Sequence, residues 1–132
     1  MSLSLTRVNV INLFAEDIVA TKSFYEEVFD LPLIFEDENS ALFQFENVMV
    51  MVRAASAVPE FIGSAAVGNP EGASRFVLAV FVDDVDAVCT ELEHRGVVLL
   101  NGPADRPWGM RTASFSDPAG HIWEIAQDLD PN

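Results

Sequence analysis

The sequence predicts an α+β chain made of two tandem βαβββ modules, and three observations carry that prediction. The order strand, helix, three strands occurs twice. The two copies align without gaps from strand into helix at a spacing of 67 residues, which pairs Val10 with Val77, Asp17 with Asp84, Ile18 with Val85 and Tyr25 with Leu92. The chain has 132 residues, half of them hydrophobic, which is enough to bury a core as one domain. The predicted organisation is a single domain over residues 1–132, with module one at about 5–53, a linker at 54–74 and module two at 75–127.

The elements follow in order. "RVNVINLF" (residues 7–14) is rich in β-branched residues and reads as a strand. Asp17 is a good N-cap, and Ile18, Thr21, Tyr25 and Val28 recur at helical spacing, with Phe24 widening the stripe and Pro32 as the stop. "LIFED", "ALFQF" and "VMVMV" are three short strands, separated by the turn signals "ENS" and "EN". In the second copy "RFVLAVFV" (residues 75–82) is the first strand. Asp83 or Asp84 caps a helix whose Val85, Val88, Cys89 and Leu92 form one apolar face, and Gly96 stands at its end. "VVLLN", "RTASFS" and "HIWEIAQ" supply the last three strands. The Ala, Ser, Gly and Pro of residues 54–74 suit either a cover over a pocket or a tether, and Phe61 and Ile62 favour some packing.

Composition excludes several classes. No apolar run approaches the ~20 residues of a membrane span, and "MSLSLTRV" has no basic-then-apolar leader pattern. The single Cys89 excludes an internal disulfide framework and a cysteine-rich zinc site, so the cytoplasm is the expected compartment. A formal charge of −14 repels phosphate backbones, so neither nucleic acid nor membrane is an expected partner. The charge serves solubility, and the same field concentrates cationic ligands. No nucleophile elbow, Gly-rich phosphate loop or Ser-His-Asp order is present.

"NLFAEDIVATKSFYEEVFDLPL" and "WGMRTASFSDPAGHIWEI" together resemble the vicinal oxygen chelate superfamily, which includes the glyoxalases, the bleomycin resistance proteins and the extradiol dioxygenases. The resemblance covers roughly residues 7–127, and its most specific part is an aromatic-Gly, Arg, Phe, Asp-Pro-x-Gly and Glu in that order. It implies paired βαβββ modules whose curled mixed sheets surround a cavity, and a homodimer. It also implies four metal-ligand positions in the metal-dependent members. The first lies seven residues before the capping Asp of module one, at Val10, and the second six before Asp83, at Val77. The third lies on "VMVMV", at Met49 or Met51, and the fourth four residues past Gly120, at Glu124. Three of these four positions are apolar here, so no metal or other cofactor is expected. His121 does not rebuild the site. Residues three apart on a strand point to opposite faces, so His121 and Glu124 do not share one, and His121 is expected to be exposed at a strand start.

With Glu124 facing inward, strand parity brings Val8, Val10, Asn12 and Phe14 from the first strand to the same cavity. Val77, Ala79 and Phe81 from the matching strand join them, with Met49 and Met51 as a further wall. Trp108 sits on a constrained Pro-Trp-Gly loop, where it either stacks on a planar or cationic ligand or plugs the barrel's end. Arg111 at the mouth either meets an anionic ligand or neutralises Glu124 or Asp105. Glu124 has three open roles: a catalytic acid or base, a counter-ion for a cationic ligand, or a paired relic of a lost metal site. The expected function is metal-independent binding of a small, largely apolar, cationic drug-like molecule. The alternatives are a divergent lyase, isomerase or dioxygenase acting through Glu124, and a structural dimer whose cavity is filled.

Overall fold

The computed structural model describes residues 3, 5–69, 71–72 and 74–131. It places two four-stranded mixed sheets in two compact units that divide between Val67 and Gly68. In the first unit the strands β1 (Val10–Ala15), β2 (Leu33–Asp37), β3 (Ser40–Gln44) and β4 (Met49–Ala54) lie in the order β1-β4-β3-β2. In the second, β5 (Leu78–Phe81), β6 (Asn101–Asp105), β7 (Met110–Ser116) and β8 (Ile122–Asp128) repeat it as β5-β8-β7-β6. The first strand of each unit runs parallel to the last, and the other pairings are antiparallel.

The helix of the first unit, α1 (Ile18–Glu27), begins where the sequence predicts. The Asp17 carboxylate accepts from the Ala20 amide at 3.1 Å, satisfying one of the donors that a helix start leaves open. The end differs from expectation. The helix stops at Glu27, well before Pro32, and Asp30 at φ 55° turns the chain. Phe29, left outside the helix, then packs on Tyr25 at 5.2 Å and on Phe45 at 6.0 Å between ring centroids. The half-buried Phe29 and Phe45 thus gather on the buried Tyr25 where the helix has ended. Thr21 and Tyr25 are buried with Leu13, Ala15, Ala41, Phe43, Val50 and Val52, which all project from one face of the sheet.

Residues 54–74 are not a bare connector. A 3-10 turn (Ala55–Ala57) and a short helix, α2 (Pro59–Ile62), start it, and Val58 is fully buried. This stretch packs on the first unit, with the Phe61 ring edge-on to Phe14 at 6.1 Å. Positions 70 and 73 of the expected linker lie outside the described residues.

In the second unit α3 (Val85–His94) is capped by Asp84, whose carboxylate accepts from the Ala87 amide at 3.1 Å. Val85, Cys89 and Leu92 are buried, as their spacing predicts, and Gly96 follows the helix at φ 85°. They share the interior with Ala113, Phe115, Trp123 and Ile125. One strand is shifted from expectation. The apolar run "VVLLN" is mostly not a strand, because Val97 is consumed in closing the helix end and its amide donates to the Leu92 carbonyl. Pairing with β7 takes over only at Leu100 and Asn101, where Gly102 lies so close to the Thr112 carbonyl that a side chain would clash. The first strands are also shorter than predicted. Val8 precedes β1 and Val77 precedes β5, and both are exposed.

Candidate functional site

The faces of each sheet follow from its register. In the second unit Ala79, Glu124, Ser114 and Asn101 lie side by side across β5, β8, β7 and β6. The neighbouring row is Phe81, Ala126, Thr112 and Ala104. This face is turned away from α3, because the alternate residues Trp123, Ile125, Ala113 and Phe115 are the ones buried with the helix. Glu124 therefore stands half-buried between a methyl group and a small hydroxyl, with Ile122 and Ala126 before and after it on the same strand face. Among the described residues no hydrogen bond or ion pair engages its carboxylate.

Arg111 is not available to neutralise it. One position along β7 from Thr112, Arg111 points to the helix side. Its guanidinium bonds Asp86 of α3 and Asp105 of β6, each at 2.9 Å, and Asp105 followed by Asp86 raises its already high pKa. Arg111 thus clamps helix to sheet, and parity is the reason that it misses the Glu124 face. The arginine on that face is Arg106, which the sequence reading passed over. Its Nε donates to Thr112 Oγ1 at 2.8 Å and its Nη2 to Asn101 Oδ1 at 3.0 Å.

Trp108 lies at the tip of the β6–β7 hairpin, 68% exposed, so it does not plug the unit. Phe81, also predicted for the site, helps to line a groove of about 490 Å³ with Met110, Asp128 and Leu129. That groove lies at the sheet's end and does not include Glu124. His121 is not an exposed surface histidine. It precedes β8, and its Nδ1 meets Asp117 Oδ2 at 2.9 Å. The fully buried Asp117 carboxylate also accepts from the amides of Ala119 and His121. The Asp-Pro-Ala-Gly-His stretch is therefore a turn locked by its first residue.

In the first unit the face turned away from α1 carries three rows. Val10, Met49 and Gln44 form one, Asn12, Met51 and Leu42 the next, and Phe14, Arg53 and Ser40 the third. The predicted residues Val10, Asn12, Phe14, Met49 and Met51 share this face. Arg53, which sequence reasoning missed, lies among them. Its Nε donates to Asn12 Oδ1 at 2.8 Å, and its guanidinium carbon sits 4.6 Å from the centre of the Phe61 ring. The signal for it was the period-two extension of "VMVMV" by one more pair of residues.

The ligand positions implied by the resemblance were tested on this geometry. Val10 lies beside Met49, Glu124 lies beside Ala79 and Ser114, and Val77 is outside the ladder. Taken unit by unit, neither hydrocarbon and thioether groups on one face nor one carboxylate beside Ala79 and Ser114 on the other fits a divalent metal ion. Among the described residues no three His, Cys, Asp or Glu side chains gather as metal-ligand sets do.

Comparison with known proteins agrees with this architecture. A sequence profile of the Glyoxalase/Bleomycin resistance protein/Dioxygenase superfamily matches residues 7–125. The uncharacterized protein YraH of Bacillus subtilis (strain 168) is 31% identical over 123 residues, covering 90% of this chain and 96% of its own. A glyoxalase/bleomycin resistance protein/dioxygenase from Nocardioides superposes with a TM-score of 0.85 at 26% identity, covering 100% of this chain and 89% of the other. A glyoxalase-related enzyme from Fulvimarina pelagi gives 0.82 at 28% identity, with 94% and 89% of the two chains covered. Fold, sequence profile and relative agree, and the chain belongs to the Glyoxalase/Bleomycin resistance protein/Dioxygenase superfamily.

Proposed function

We propose that this chain is a metal-independent binding protein that holds a small, largely apolar, cationic molecule on the sheet face carrying Glu124. The observation that carries the reading is the isolation of that carboxylate. It stands between Ala79 and Ser114 with no partner from the protein among the described residues, so its hydrogen-bonding capacity is open to a ligand. A half-buried carboxylate gains more from an ammonium group than one in bulk water does. Phe81, exposed in the neighbouring row of the same face, offers aromatic surface for the ligand's body. The protein is read as a cytoplasmic homodimer. The single buried thiol of Cys89 favours a reducing compartment, which cell fractionation checks.

A second reading is a lyase, isomerase or dioxygenase using Glu124 as a base, favoured by the Fulvimarina pelagi relative's name as an enzyme. One titration separates the two. With EDTA present, 2-naphthylmethylammonium is expected to bind, and Glu124→Gln to weaken it about tenfold or more, the scale of a lost charge-assisted bond. Stoichiometric metal that is retained by the wild type and lost in Glu124→Gln, or binding that the substitution leaves unchanged, overturns the proposal.

A further inference from the structure

Acidic residues outnumber basic ones 21 to seven, and three of the seven cations are paired with carboxylates among the described residues. Lys22 pairs with Glu36 and Glu26, Arg95 with Glu91, and Arg111 with Asp86 and Asp105. Arg53 and Arg106 instead bond neutral oxygens, and Arg53 is the one of these two with no bond at either terminal nitrogen among the described residues. It has no ion pair among the described residues, and its one bonded nitrogen, Nε, donates to a neutral amide oxygen of Asn12. The nearby Asp37 carboxylate is committed elsewhere, to the Asn39 amide at 2.9 Å and the Ser40 hydroxyl at 2.8 Å. Those two bonds hold its pKa down, with only a minor share from the charge of Arg53.

The guanidinium is nevertheless held in place. Asn12 fixes Nε from β1, the Phe61 ring covers one flat side at 4.6 Å, and Phe14 lies beside Arg53 in the register and edge-on to Phe61. Both terminal nitrogens stay outside this network, so four N–H groups point from a fixed plane. This is the fork that matches a carboxylate with two parallel hydrogen bonds, and its orientation has already been set by the protein. Among the described residues no carboxylate bonds this cation, which shares its face with Met49, Met51, Val10 and Leu42.

We infer that the face of the first unit carries an anion subsite built on Arg53, which takes the carboxylate of a ligand whose aromatic or aliphatic body lies along Phe14, Phe61 and Met51. Arg53 supplies the fork, Asn12 aims it, and Phe61 shields one side from water. The inference goes beyond the Glu124 reading and does not depend on it.

Calorimetric titration of the whole chain with 2-naphthoate and with the neutral 2-naphthylmethanol tests it. Wild type is expected to bind naphthoate at least about tenfold more tightly than the alcohol, the usual scale for a charge-assisted pair. Arg53→Gln should remove that preference and leave the alcohol's affinity in place. Arg53→Lys keeps the charge but loses the fork, and should retain only part of the preference. Asn12→Ala, which frees Nε, should weaken naphthoate several-fold and gives a second variant if Arg53→Gln does not fold. Equal affinities for the two probes, no naphthoate binding, or a preference that survives both Arg53 substitutions overturns the inference. The ammonium titration with Glu124→Gln reads the other unit, so either proposal can fail alone.

Discussion

Single residues divide the two sheets into a packed face and an open one. Glu124 and Arg111 look like natural partners in the sequence, yet register puts them on opposite sides of one sheet. Arg111 bonds Asp86 and Asp105, and Glu124 keeps its carboxylate free of protein partners among the described residues. Asp117 shows the reverse situation, a carboxylate engaged by its own turn. It is buried and accepts from two amides and the His121 ring. Asp117→Ala leaves those donors without an acceptor, and is expected to cost about 2–4 kcal/mol by urea denaturation. A midpoint that does not move would show that the turn holds without it.

At the scale of elements, the helices depend on their first residues. Asp17 and Asp84 occupy equivalent positions and accept the same kind of bond, each at 3.1 Å. Each Asp→Ala substitution should lower stability by about 1 kcal/mol, and the two should add, since they cap helices in separate units. Thermal melts of both single variants and the double variant check this. Loss from only one of them would mean that the shared geometry does not carry shared energy. Strand β6 makes the complementary point. Its residues, Asn101–Asp105, are poor strand formers, and they pair because β7 offers a partner where the turn after α3 ends.

The whole molecule carries a charge of −14 and several exposed apolar side chains, among them Phe81, Val98 and Val8. Scattered apolar exposure is ordinary, but this amount on a small chain supports association into the proposed homodimer. Light scattering after size exclusion should then report twice the 14.5 kDa chain mass. Like charges oppose that association, so lowering the salt concentration should shift the mass toward the monomer. A monomer mass at every salt concentration would dismiss the dimer, and a monomer favoured by added salt would dismiss charge repulsion as the force opposing it.

The sequence by itself determined the repeated βαβββ order, the first capping aspartate, the buried helix faces and the family, and it narrowed the second cap to Asp83 or Asp84. These rest on local periodicity and short-range hydrogen bonds, which neighbouring residues specify. It also separated Val10, Asn12, Phe14, Met49 and Met51 from Leu13, Val50 and Val52, because alternation along a strand is a local property. Only the tertiary structure decided which residues lie across from one another. Pairing between strands placed Ala79 and Ser114 beside Glu124, sent Arg111 to the helix side, and brought Asn12 and Phe61 around Arg53. It also moved β6 away from its most apolar stretch and ended α1 early, where Phe29 packs on Tyr25. Those outcomes depend on register and on competition for burial between segments far apart in the chain, which no local pattern encodes.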